Sequence, residues 1–266
     1  MPSLKHSLQR ITALENLTEK DTAIHRLSPM IKLMVTIFYV IIVISIPLEE
    51  FANLMIFACF PAFLMIIGEV PLKPLAIRCG IALPFAFFAG LSNLFVHRNI
   101  LFYIGGFGVT KGMLVLASLM LKTILTVLFV LLLVATTSMN DLIYTLIRLH
   151  IPHIIIIQIM MTYRYMSVLL KEASLMYHAY ILRAPKEKGI KMKDMGMFLG
   201  QLILRSMDRA ERIYQSMQCR GFDGRLSFVK KEKPVVTDWI IIIMIGAFFI
   251  ILRVFNLGTR IGSLLL

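Results

Sequence analysis

From Gly112 to Ala135 the chain carries a single charged residue, Lys122, in an apolar run long enough to cross the hydrocarbon core of a bilayer. No water reaches backbone groups inside lipid, so such a run must close its own hydrogen bonds as a helix. Further apolar runs occupy about 30–47, Phe51 to about Gly68, about 79–96 and about 236–256. Hydrophobic residues make up 58% of the chain and charged residues 16%, a balance that excludes an ordinary soluble domain. The expected fold is an all-α membrane protein with about five transmembrane helices. Pro84, inside the third run, is expected to kink that helix rather than end it.

The charge balance then orients the chain. Net charge is +13, which in a soluble protein would suggest nucleic acid; here the positive-inside bias accounts for it, and no nucleic-acid partner is expected. Residues 138–236 hold 16 Lys/Arg against 8 Asp/Glu, so this stretch alone carries +8. With the basic Lys73/Arg78 loop it belongs on the cytoplasmic side. The expected organisation is a cytoplasmic N-terminal segment over 1–29, four spans over 30–137, cytoplasmic helices over 138–235, and a last span with its tail over 236–266. That makes a multi-pass protein of the cell membrane with its N-terminus in the cytoplasm. The polar, mixed-charge start does not read as a cleavable signal peptide.

The basic region has its own helix signals. Ser138 and Asp141 are spaced as a capping box, predicting a short helix to about Leu149. Pro152 suits the first turn of a long helix reaching about Arg183. Its first half is apolar, but Gln158, Arg164 and Lys171 place it at the membrane surface or beneath the bundle. After the basic linker from Pro185 to Asp194, a second amphipathic helix is expected over about 195–220. Leu199, Ile203, Ser206, Ala210, Ile213 and Met217 share its apolar face.

These two helices end alike. Tyr177-His178-Ala179-Tyr180-Ile181-Leu182-Arg183-Ala184 and Tyr214-Gln215-Ser216-Met217-Gln218-Cys219-Arg220-Gly221 share Tyr, a small residue two positions on, Arg six positions on, and then another small residue. Pro185 closes the first helix, and Gly221 can take the left-handed cap of the second. Both arginines therefore fall where free helix carbonyls favour a cation. Arg suits any helix C-terminus, but two matched octamers suggest two equivalent docking sockets.

Catalytic motifs are lacking. The chain contains neither H-E-x-x-H nor G-x-S-x-G, and the cluster Gly105-Gly106-Phe107-Gly108 does not fit a phosphate loop. Its histidines lack ligand spacing, Pro152 separates His150 from His153, and Cys59, Cys79 and Cys219 suggest neither a metal site nor a disulfide framework. No enzymatic activity and no bound metal or cofactor are expected on this chain. A membrane-embedded Lys122 is by default a functional suspect, although it lies near enough to one end of its span to snorkel. A self-sufficient carrier lined by Lys122 and Asn93 is one rival reading, and a membrane enzyme sited in the basic region is another.

The order of these features resembles the transmembrane T component of energy-coupling factor (ECF) transporters, in the cobalt-type, CbiQ-like branch. The resemblance runs from His25-Arg26-Leu27-Ser28-Pro29 and Lys32-Leu33, through four spans and Thr136-Thr137-Ser138 with Asp141-Leu142, to one terminal span. Its most specific part is Cys219-Arg220-Gly221-Phe222-Asp223-Gly224-Arg225, similar to the branch's second Ala-Arg-Gly signature; Leu182-Arg183-Ala184 stands for the first. Both depart from that signature in their flanking residues. The resemblance implies a cytoplasmic coupling module of about three helices, two of them long and each ending in an Arg motif. Leu182, Arg183, Ala184, Cys219, Arg220 and Gly221 would dock on two cytoplasmic ABC ATPase subunits that carry ATP and Mg2+. It further implies a substrate-binding integral membrane subunit holding Co2+ or Ni2+, with or without a small accessory membrane subunit. Closure of the ATPase pair would draw the two tips together.

Overall fold

Each of the five long apolar runs folds as a helix over its described residues. The computed structural model describes residues 27–48, 50–69, 71–96, 100–104, 107–149, 151–184, 189–224 and 236–254. Residues 1–26, with His25 and Arg26 and nearly all of the N-terminal segment, lie outside the described residues, as do Pro185, Arg225 and the tail beyond 254. The helices are α1 (Pro29–Ser45), α2 (Phe51–Ile67), α3 (Leu72–Val96), α4 (Lys111–Thr136), α5 (Met139–Arg148), α6 (His153–Arg183), α7 (Met192–Cys219) and α8 (Val236–Val254). The chain is an all-α membrane protein whose described residues include one small hairpin, β1 (Ile100–Ile104) and β2 (Phe107–Thr110).

Among the described residues three helical stretches are long and apolar enough to cross a membrane: Pro74–Leu94 within α3, α4, and α6. The 17-residue α1 and α2 are shorter apolar helices, at the low end of the spanning range. Two boundaries move from their sequence expectation. The third helix begins at Leu72, so Lys73, Pro74 and Arg78 lie in it and not in a loop; proline is tolerated in a first turn, where its missing N–H has no helical acceptor. The glycine cluster is framed by antiparallel strands, with Ile104 opposite Phe107 and Tyr103 opposite Gly108, and the register shifts between Ile100 and Phe102. Thr110 then caps α4, its hydroxyl oxygen accepting from the Met113 N–H at 3.4 Å.

The described chain divides into two compact units, one of residues 27–142 and 236–254 and the other of residues 143–224. The first is built around aromatic rings from α1, α2, α4 and α8. Tyr39 stacks on Phe129 with centroids 4.1 Å apart, and Phe249 meets Tyr39 and Phe60 edge-on at 5.7 and 4.8 Å. Tyr39 and Phe249 are wholly buried. Against α4 lies α3, close enough at Gly90 that a Cβ there would come within 3.2 Å of the Leu116 side chain. Such small-residue contacts let membrane helices approach without a hydrophobic drive.

One polar contact explains how this core holds together. Pro61 lies inside α2 and has no N–H to give to the carbonyl four residues earlier. That carbonyl belongs to Phe57, and the Tyr39 hydroxyl donates to it at 3.0 Å. A side chain on α1 thus replaces the hydrogen bond that α2 cannot make. Tyr39→Phe is expected to leave the Phe57 oxygen unpaired and to cost about 1–3 kcal/mol. In a Pro61→Ala background the helix regains its own N–H and the same change costs much less. Thermal unfolding in detergent, run as a double-mutant cycle, measures the difference; equal costs in both backgrounds would refute the substitution.

Candidate functional site

The unit formed by residues 143–224 carries both arginine tips. α6 and α7 run antiparallel. Near one end Tyr180 donates to Asp194 Oδ2 at 2.7 Å and accepts from the Lys191 N–H at 3.4 Å. At mid-length Arg205 reaches Glu172 at 2.6 Å. Near the other end Met161 and Tyr165 share a groove with Ile213 and Met217. Each tip therefore lies beside the start of the other helix, and the two stand apart by roughly the length of α7, about 42 Å for a helix of its span.

The contact between these helices is thin. No residue of α7 is buried, and of α6 only Ile156 is. The half-buried line on α7 is Phe198, Leu202, Ser206, Arg209, Ile213 and Met217, whereas Leu199, Ile203 and Ala210 of the expected face are exposed. The line follows two rows of i+4 spacing, the ridge that meets a neighbour when helices cross obliquely. A sequence scan for the most apolar face does not see that obliquity.

The two tips end differently despite their matched octamers. At the second, the Gly221 N–H donates to Gln218 O at 2.9 Å and the Phe222 N–H to Met217 O at 3.0 Å, with Gly221 at φ +80. This pair of bonds is the Schellman motif, and its left-handed residue is glycine as expected. At the first tip the Ala184 N–H still reaches Tyr180 O at 3.0 Å while Ala184 leaves helical geometry at φ −129, ψ 65. Arg183 is thus the last helical residue of α6, whereas Arg220 is itself the cap of α7. Leu182, Arg183, Cys219, Arg220 and Gly221 are exposed and Ala184 is half-buried. Beside the second tip Arg164, Arg209 and Arg212 line the same groove as Arg220. The i, i+3 spacing of Arg209 and Arg212 is the signal the sequence offers for this grouping, and nothing along the chain joins Arg164 to them.

A family model described as CbiQ, cobalt transport protein, matches residues 20–231. The chain belongs to the CbiQ family. It is accordingly a membrane component of a cobalt transport system, with multiple passes through the bilayer. The match takes in both arginine tips and stops before α8. Among curated relatives, uncharacterized protein MJ1089 of Methanocaldococcus jannaschii is 26% identical over 269 residues, covering 95% of this chain and 94% of its own. Uncharacterized protein MJ1571 of the same organism is 24% identical over 130 residues, covering 48% of this chain and 44% of its own.

In a CbiQ-family protein a lysine within a span invites a role in the solute path. The structure gives Lys122 a structural one. Its ammonium donates to Ile44 O at 2.8 Å and Ile46 O at 2.6 Å, at the C-terminal end of α1. Arg253 of α8 donates to Ser45 O at 3.2 Å and pairs with Glu50 at 3.1 Å, beside the same helix end. At the opposite end of α1, Lys32 donates to Thr136 O, the last residue of α4, at 2.8 Å. α1 and α4 thus each lend a lysine to the other's terminal carbonyls, which have no helical donors. Asn93, on α3, shares no hydrogen bond with Lys122 among the described residues.

Two outcomes follow. Lys122→Met is expected to lower the stability of the detergent-solubilised protein by about 1–3 kcal/mol. Unchanged stability together with lost flux in liposomes would instead put Lys122 in a solute path. Gly221→Val is expected to unwind the α7 cap at a cost of about 1–2 kcal/mol. Amide exchange should then accelerate at 221 and 222 and stay unchanged in α4.

Proposed function

We infer that this chain is the non-catalytic coupling (T) subunit of an ATP-driven ECF-type importer, with cobalt as the cargo and nickel as the alternative. The observation that carries the reading is the pair of exposed guanidiniums, Arg183 and Arg220, each ending one of two long antiparallel helices. A guanidinium at such a tip offers a planar fork to a carboxylate. In this reading each tip engages one of two cytoplasmic ABC ATPase subunits, which hold ATP and Mg2+. A separate substrate-binding membrane subunit, with or without a small accessory subunit, holds the metal ion.

The antiparallel geometry changes the expected motion. The tips sit at opposite ends of the α6–α7 pair, so drawing them together requires the helices to slide or splay along their seam. The seam suits that motion. Arg205–Glu172 is a solvent-facing ion pair, a type worth about 0–1 kcal/mol, and half-buried side chains repack at modest cost. Small sliding of packed helices is a recognised mode of domain movement. The 28 residues of α7 and 31 of α6 then carry that displacement as stiff elements.

Arg183→Glu combined with Arg220→Glu is expected to abolish co-purification of the ATPases from native membranes while the variant remains monodisperse. Opposing a desolvated charge pair costs about 2–5 kcal/mol per contact, enough to empty both sockets. Recovery of two ATPase copies at the wild-type level would refute the coupling role.

A further inference from the structure

The geometry points to an anionic-phospholipid site in the groove between α6 and α7, with the lipid phosphate on Arg164, Arg209 and Arg212 and an acyl chain along the adjoining apolar trough. The groove measures about 710 Å³ and is lined by these three arginines and by Arg220. Among the described residues none of the four guanidiniums has a carboxylate or hydrogen-bond partner. Farther along the seam Arg205, by contrast, is matched by Glu172. Gathering unmatched like charges raises the energy of the folded unit, and an arriving anion relieves it. Phosphate suits the task because each guanidinium can hold two of its oxygens.

The second half of the argument is apolar. Opening from the same groove through Met161, Tyr165 and Ile213 is a trough of about 350 Å³ that adds Ile157, Leu169 and Ala210. A free phosphate or an acidic peptide would satisfy the arginines and leave this trough empty. A phospholipid fills both, and the α6 wall belongs to a helix apolar enough to enter a membrane.

Native mass spectrometry of the full chain in neutral detergent tests this, titrated with dioleoyl-phosphatidylglycerol and, separately, dioleoyl-phosphatidylcholine. Wild-type protein is expected to retain one phosphatidylglycerol under conditions that strip phosphatidylcholine. Arg164→Gln/Arg209→Gln/Arg212→Gln is expected to retain less by on the order of tenfold or more. Lys171→Gln/Lys191→Gln/Lys193→Gln, which removes as much charge elsewhere in the unit, should retain as much as wild type. Ala210→Trp closes the trough without touching an arginine and should also lose the lipid, which keeps the test open if the triple arginine variant misfolds. Equal retention of the two lipids, or undiminished retention in the arginine variant, would overturn the proposal. So would displacement by millimolar inorganic phosphate or by an acidic peptide, with Ala210→Trp binding as wild type does: that pattern marks a plain anion or protein site.

Discussion

A carbonyl oxygen in lipid must find its donor within the protein, and the membrane unit is arranged around the few that helices cannot serve themselves. Phe57 loses its partner to Pro61 and receives one from Tyr39. The end of α1 receives Lys122 and Arg253, and the end of α4 receives Lys32. Each of these donors comes from a different helix than its acceptor. The same bonds that satisfy the backbone therefore fix which helices are neighbours. The aromatic cluster fills the space they enclose, with the Tyr39 ring stacked on Phe129 and its hydroxyl still in reach of α2.

The unit that carries the arginines follows the opposite logic. Its two long helices bury almost nothing against each other, and the cross-links among their described residues include a solvent-facing ion pair and a tyrosine–aspartate bond at one end. A helix pair of this kind draws little of its stability from its own seam. Its apolar exposed positions, among them Leu182, Ile203 and Met207, belong to a component that works in a larger assembly. Membership of the CbiQ family agrees with that character.

Much of this was legible in the sequence because one-dimensional signals dominate in a membrane. Apolar length set α4 within one residue at either end, the Ser138–Asp141 spacing announced a cap that forms at 3.2 Å, and Gly221 adopts the left-handed turn its position required. The misses share a cause as well. The loop expected around Lys73 and Arg78 is helical, because Pro74 in a first turn leaves no bond unmade. The Ile100–Ile104 run beside Gly105-Gly106 carried a hairpin signal that the surrounding helices overshadowed. Pro61 looks like a helix breaker until Tyr39 is placed beside it, and Lys122 looks like a solute ligand until the end of α1 is. Such facts depend on which helix lies next to which, and spacing along one chain does not carry them. The gathering of Arg164 with Arg209 and Arg212 across two helices is of the same kind.

The unlike caps of α6 and α7 give the arginine-bearing pair a handedness of action. Where α7 ends, the chain is wound back so that Phe222 tucks beneath Met217, and the guanidinium there rides on a knot tied by two backbone bonds. Where α6 ends, the Ala184 N–H still bonds the Tyr180 and Ile181 carbonyls, but no left-handed residue winds the chain back. A helix pair with one wound-back end and one open end frays unequally, the open end first.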